Sequence, residues 1–161
     1  MDSERIGPRG RMRLQVARTD GTVLTERSAQ NLVLRGGAEL VARRFAGVDA
    51  APINRIGLGF GREAADPGAT TLTGPTDDGV PASALTSPVA PGDFTIASDR
   101  PGFVQVSVAT VFHPTVELEG VSEAGLLGDD QLYNQVVFEP VTLKVDQDVT
   151  FFWEIDFPFG H

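Results

Sequence analysis

Few side chains in this 161-residue sequence have the types and spacing that chemistry demands. With no cysteine, disulfides and thiolate metal sites are excluded. The two histidines, His113 before Pro114 and His161, are too differently placed to suggest a metal pair or a nucleophile–base arrangement. His113 reads as a half-exposed residue at a strand end. No serine has the surroundings of a nucleophile elbow: Ser107 falls within a strand pattern, and Ser122 precedes Glu123 without flanking glycines. The acids come in pairs, Asp77 with Asp78, Asp129 with Asp130, Asp146 with Asp148 and Glu154 with Asp156. None of these runs has the helix–loop–helix spacing that converges oxygen donors on calcium. Asp146 and Asp148 could share an ion with a neighbouring loop, but solvated turn acids are the plainer reading. Gly57, Gly59 and Gly61 make a G-x-G-x-G string, yet no helix and no Gly-Lys-Ser/Thr follow it. Those glycines read as a close backbone approach or a bulge rather than a phosphate cradle. The residues therefore predict no catalytic, cofactor-binding or metal site, and no enzyme.

The elements that must position everything else are strands. From Asp148 to Phe157, Val149, Phe151, Trp153, Ile155 and Phe157 fall on one face, and Thr150, Phe152, Glu154 and Asp156 on the other. This closing strand holds the only tryptophan, and another layer must cover it. The expected core is Trp153, Phe151, Ile155 and Phe157 with Phe138, Val106 and Val108. Phe94 opens a β block in which Val104, Val106, Val108 and Phe112 alternate with Gln105, Ser107 and Ala109, with Val116, Leu118 and Val121 as its continuation beyond Pro114. Glu123-Ala-Gly-Leu-Leu, a Gly128-Asp-Asp turn and strands at Leu132–Phe138 and Val141–Val145 follow. Strands at this spacing predict an antiparallel β-sandwich.

Earlier in the chain, residues 1–10 are expected to form a mobile arm, and the alternation from Arg11 to Val16 predicts a strand with one basic face. Asp20-Gly21 marks a hairpin, with Thr22–Glu26 returning. Ala38–Ala46 predicts one short helix with Ala38, Val41 and Phe45 facing inward, closed by Gly47. Residues 62–92, with five prolines, predict a long loop. The expected division is a basic arm and hairpin at 1–30, then a sandwich domain at 31–161.

The net charge of −9 hides a split: 11 basic and 6 acidic side chains up to Arg62, then 2 basic and 16 acidic from Glu63 onward. Opposite fields of this kind can meet between identical subunits, although charges decorating solvent faces are the plainer reading. The overall acidity argues against nucleic acid. No apolar stretch reaches membrane-spanning length, and the opening residues lack the apolar middle of a signal peptide, so neither membrane insertion nor export is expected.

Several fragments, taken in order, resemble small structural proteins of bacteriophage tails and phage-tail-like particles. They are Asn31-Leu-Val before Gly37 and a short helix, Ile53–Gly61, Thr70-Thr-Leu, Val121-Ser-Glu-Ala-Gly-Leu-Leu, Leu132-Tyr, Val137-Phe-Glu-Pro and Thr150–Phe157. The resemblance runs from about Asn31 to Phe157 and does not include residues 1–30. It implies a non-enzymatic subunit of a tail, baseplate, fibre or collar, built into a particle in the bacterial cytoplasm beside copies of itself and other tail proteins. On that expectation Arg5, Arg9, Arg11 and Arg13 form the interface through which the arm reaches an acidic neighbour. The competing expectation is a carbohydrate- or receptor-binding sandwich using the 62–92 loop and the turn at Asp129.

Overall fold

Alternation of apolar and polar residues is converted into two stacked sheets in the computed structural model, which describes residues 9–160. The chain runs β1 (Arg9–Arg18), β2 (Val23–Gln30), β3 (Leu32–Val33), α1 (Arg35–Phe45), β4 (Arg55–Gly59), β5 (Thr86–Pro88) and β6 (Phe94–Ala97). It continues through β7 (Phe103–Phe112), β8 (Leu118–Gly128), β9 (Gln131–Leu132), β10 (Asn134–Leu143) and β11 (Gln147–Pro158). One sheet has the order β2-β1-β11-β7-β6; the other has β3-β10-β8-β4-β5, with β9 alongside β8. Every pairing is antiparallel. The expected mainly β antiparallel sandwich with one helix is therefore the observed architecture.

The closing strand β11 lies at the centre of its sheet, paired with β1 on one side and β7 on the other. Trp153 and Phe151 are each 1% exposed, and Ile155, Phe138 and Val108 are buried with them. Phe157 packs at the margin of this core, and Val106 is half-buried. Burying apolar area at about 25 cal/mol per Å² makes this seam the main source of cohesion between the sheets.

The division at residue 30 is not a boundary in the fold. β1 pairs with β11 over ten positions, from Arg9 opposite Asp156 to Arg18 opposite Gln147. Its Met12, Leu14 and Val16 stand opposite Trp153, Phe151 and Val149 and are as deeply buried as they are. The basic side chains of β1 had suggested a separate ribbon, but its other face is core. Of the expected arm, residues 1–8 lie outside the described residues. The chain then crosses between sheets at Asn31, from β2 to β3. Arg27 on β2 ties the layers together there, its guanidinium donating to the Glu139 and Pro140 carbonyls at 2.9 and 3.1 Å. Those carbonyls lie where β10 slips register around Pro140. β10 thus runs unbroken where two strands were expected.

Two further expectations are corrected. Val116, Leu118 and Val121 do not extend β7; Leu118 and Val121 belong to β8, in the opposite sheet. Glu123–Leu127 lies within β8, and four of its five residues are buried. The glycine there serves packing, since a Cβ at Gly125 would meet the Asn134 carbonyl oxygen at 2.6 Å. The helix also turns a different side inward. Gly37 and Leu40 are buried, whereas Val41 and Phe45 face solvent. A Cβ at Gly37 would sit 2.0 Å from the Tyr133 carbonyl oxygen, so backbone contact at that glycine sets which face docks. The helix end follows expectation: Gly47 has φ +72°, and the N–H groups of Gly47 and Val48 return to the carbonyls of Arg44 and Arg43.

Candidate functional site

The most polar point of the interior is a carboxylate that the pairs of acids did not announce. In β8, Ala124 and Leu126 face the core, so Glu123 projects from the opposite face, beside Gly59 of β4. It is only 2% exposed. What buries it is the strap that leaves β4, residues 61–73, which folds back over the outside of the sheet. Leu72 lies against Gly57 and Gly59; a Cβ on Gly59 would meet Leu72 Cβ at 2.8 Å and Glu123 Oε1 at 2.6 Å. A Cβ on Gly61 would meet the Glu123 carboxyl carbon at 2.6 Å. The glycine string is thus a close backbone approach, as its context suggested.

Each carboxylate oxygen is occupied. Oε1 accepts the Gly61 N–H at 2.7 Å and the Thr73 N–H at 2.9 Å; Oε2 accepts from Gln135 Nε2 at 2.6 Å. Gln135 Oε1 in turn accepts the Asp66 N–H at 3.2 Å. The neighbouring Ser122 hydroxyl donates to the Gly61 carbonyl. Thr73 also closes a backbone bond with Phe60, 2.9 Å from N to O. The strap is tethered to the helix as well, through the Arg35 N–H and the Pro67 carbonyl at 2.9 Å. That bond serves an α1 N-terminus whose N-cap, Leu34, offers no side-chain acceptor. A carboxylate accepting three N–H groups, with no ion pair of its own among the described residues, is held by charge-assisted hydrogen bonds, whose strength grows out of water. Here those bonds fasten a loop.

Above this hub lies an open cleft of about 440 Å³, lined by Phe60, Arg62, Glu63, Asp66, Thr71 and Gln135 among others. It contains no histidine, and no group of three or more His, Asp or Glu among the described residues is placed to hold a metal ion. Its rim is acidic and partly apolar.

The residues picked out in the sequence are distributed elsewhere. Arg5 lies outside the described residues, and Arg9 enters as the first residue of β1. Arg11 and Arg13 stand on the outer face of the other sheet. Arg11 Nε donates to Glu154 at 2.8 Å, and the Arg13 guanidinium lies 4.3 Å from the centre of the Phe152 ring. Both contacts are solvent-exposed, and such pairs contribute about 0–1 kcal/mol. The paired acids are used locally: Asp148 meets His113 Nδ1 at 3.0 Å, Glu154 and Asp156 both accept from Gln105 Nε2, and Asp129 exchanges two hydrogen bonds with Asn54. Asp77 accepts the Gly79 N–H within its own turn. The 62–92 segment is a loop over most of its length, interrupted only by β5 and short 3-10 turns at Ala82–Leu85 and Pro91–Asp93. Tyr133, the chain's single tyrosine, is buried with its hydroxyl unpartnered, and burial pushes its phenol up to about 12.

Sequence reasoning missed the hub. Its signal was a polar Ser122-Glu123 pair inside an apolar run, in a chain that also offers a glycine-stippled strand. No family model, no curated protein and no solved structure matches this chain.

Proposed function

We propose that this chain is a non-enzymatic structural subunit of a phage tail or phage-tail-like assembly, working through contacts with copies of itself and with other particle proteins. The tail assignment rests on the resemblance between Asn31 and Phe157. The observation that carries the subunit role is the apolar outer side of α1, where Phe45 is 94% exposed and Val41 and Val48 flank it. Aligned apolar side chains left in water mark an interaction surface. The use of Glu123 supports the same reading, because its oxygens are committed to holding the strap. Particles purified from producing cells by density gradient, then analysed by mass spectrometry, test the proposal. The chain should co-sediment at stoichiometric abundance; its absence from intact particles would contradict the role.

A second reading, a carbohydrate- or receptor-binding sandwich, is favoured by the cleft at the base of the 62–92 loop. Binding on a glycan array that is lost in Thr71→Arg would favour it over the first.

A further inference from the structure

Helix α1 carries two apolar stripes. One, through Gly37 and Leu40, docks on the sandwich. The other runs through Ala38, Val41, Ala42 and Phe45, is continued by Val48, and lies in solvent. These positions follow the i, i+3, i+4, i+7 spacing by which a helix anchors in a groove. The periodicity that pointed to a buried face is real, but the described residues of a single chain do not bury it.

We propose that this stripe docks into the cleft of a second copy of the chain, with Phe45 entering the hollow beside Phe60. The inference rests on the subunit reading and names the contact. Charge decides the occupant. The helix carries Arg35, Arg43 and Arg44 against Glu39, so two such helices face to face would oppose like charges. The cleft offers Glu63 and Asp66, with Arg62 as its one basic lining residue, and begins the acid-rich part of the chain. A volume of about 440 Å³ lies within the range of ligand pockets, about 300–1,000 Å³, and admits an aromatic ring. Arg43 at the rim meets Glu63, giving an apolar anchor with a charged surround.

Position limits the symmetry. The cleft adjoins the start of α1, where Arg35 bonds Pro67, whereas Phe45 stands at the other end, about 15 Å along the axis. Knob and socket are different surfaces, so two copies can exchange them reciprocally across a two-fold axis, or the contact can run head to tail. The first closes as a dimer; the second closes into a ring or continues as a filament.

Sedimentation velocity on the full chain over a wide concentration range tests this. The mass should rise above the 17.1 kDa of one copy. Phe45→Glu should weaken association at least about tenfold, with the circular dichroism spectrum unchanged because the side chain lies in water. Arg43→Glu and Glu63→Arg should each weaken it, and the two together should recover it. A wild-type chain that stays monomeric throughout, association indifferent to Phe45→Glu, or association indifferent to Glu63→Arg would each overturn the contact. Particles that contain the chain while Phe45→Glu associates normally would sink this contact alone. Association that depends on Phe45 in a chain absent from particles would sink the particle reading and leave the contact standing.

Discussion

Two regions on the same side of the sandwich reverse the usual distribution of polarity. Under the strap, a carboxylate is sealed from water; on the outer side of α1, a phenylalanine is almost fully immersed in it. The first is tolerable because three N–H donors surround Glu123, leaving no carboxylate oxygen without a partner. The second has no such compensation among the described residues. The difference separates stability from the proposed contact: a satisfied polar centre organises the chain internally, and the apolar stripe is the surface proposed to meet a second copy. Removing the first should hurt the fold, and removing the second should hurt only assembly.

The sharpest break comes from Glu123→Ala, which takes the acceptor from three N–H groups, that of Gln135 buried and those of Gly61 and Thr73 in part-buried bonds. At about 1–3 kcal/mol for a buried unsatisfied group, and less for the two that water can reach, the loss should be about 3 kcal/mol, read by urea unfolding. That is a large share of the roughly 5–15 kcal/mol available to a domain. A loss below about 1 kcal/mol would mean that the hub is dispensable.

A different buried polar group gives a pH-dependent contrast. The Tyr133 phenol titrates near 12 in the folded chain and near 10 in the unfolded one. Since the folded value is the higher, this contribution is complete below pH 10 and is lost as pH rises through 12. The loss amounts to about 3 kcal/mol. With one tyrosine in the chain, absorbance near 295 nm follows it directly. Tyr133→Phe should remove this alkaline weakening; unchanged alkaline unfolding would assign it elsewhere.

A finer test exploits hydrogen-bond direction. Glu123→Gln places an amide donor against Gln135 Nε2, and flipping Gln135 only moves the conflict to the Asp66 N–H. The single change should destabilise by about 1–3 kcal/mol. Combining it with Gln135→Glu restores a donor–acceptor match at every position, so the double variant should recover most of the loss in a double-mutant cycle. Additive losses would refute the proposed bonding. The smallest effect belongs to the other region: at concentrations where the chain is monomeric, Phe45→Ser should change unfolding free energy by no more than about 0.5 kcal/mol.

The strands were legible because period-two alternation reports burial directly, as in β11 and β7. The terminus of α1 was legible too, since Gly47 supplies the positive φ that ends it. The docked face of α1 was not. Gly37 has no side chain to register in an apolar pattern, yet it decides the face through backbone contact with Tyr133. Nor was the role of β1, whose alternating arginines drew attention away from Met12, Leu14 and Val16. Glu123 stayed hidden for a further reason. Its donors come from Gly61, Thr73 and Gln135, and no local pattern announces a pairing that depends on a strap folding back across a sheet.

Hydrogen exchange on the full chain, followed at low and high protein concentration, reads both regions at once. The Gly61 and Thr73 amides should be strongly protected at every concentration, while amides from Ala42 to Val48 should gain protection as concentration rises. Hub amides exchanging at loop rates, or a helix end indifferent to concentration, would contradict a rigidly clamped subunit that works through its exposed helix.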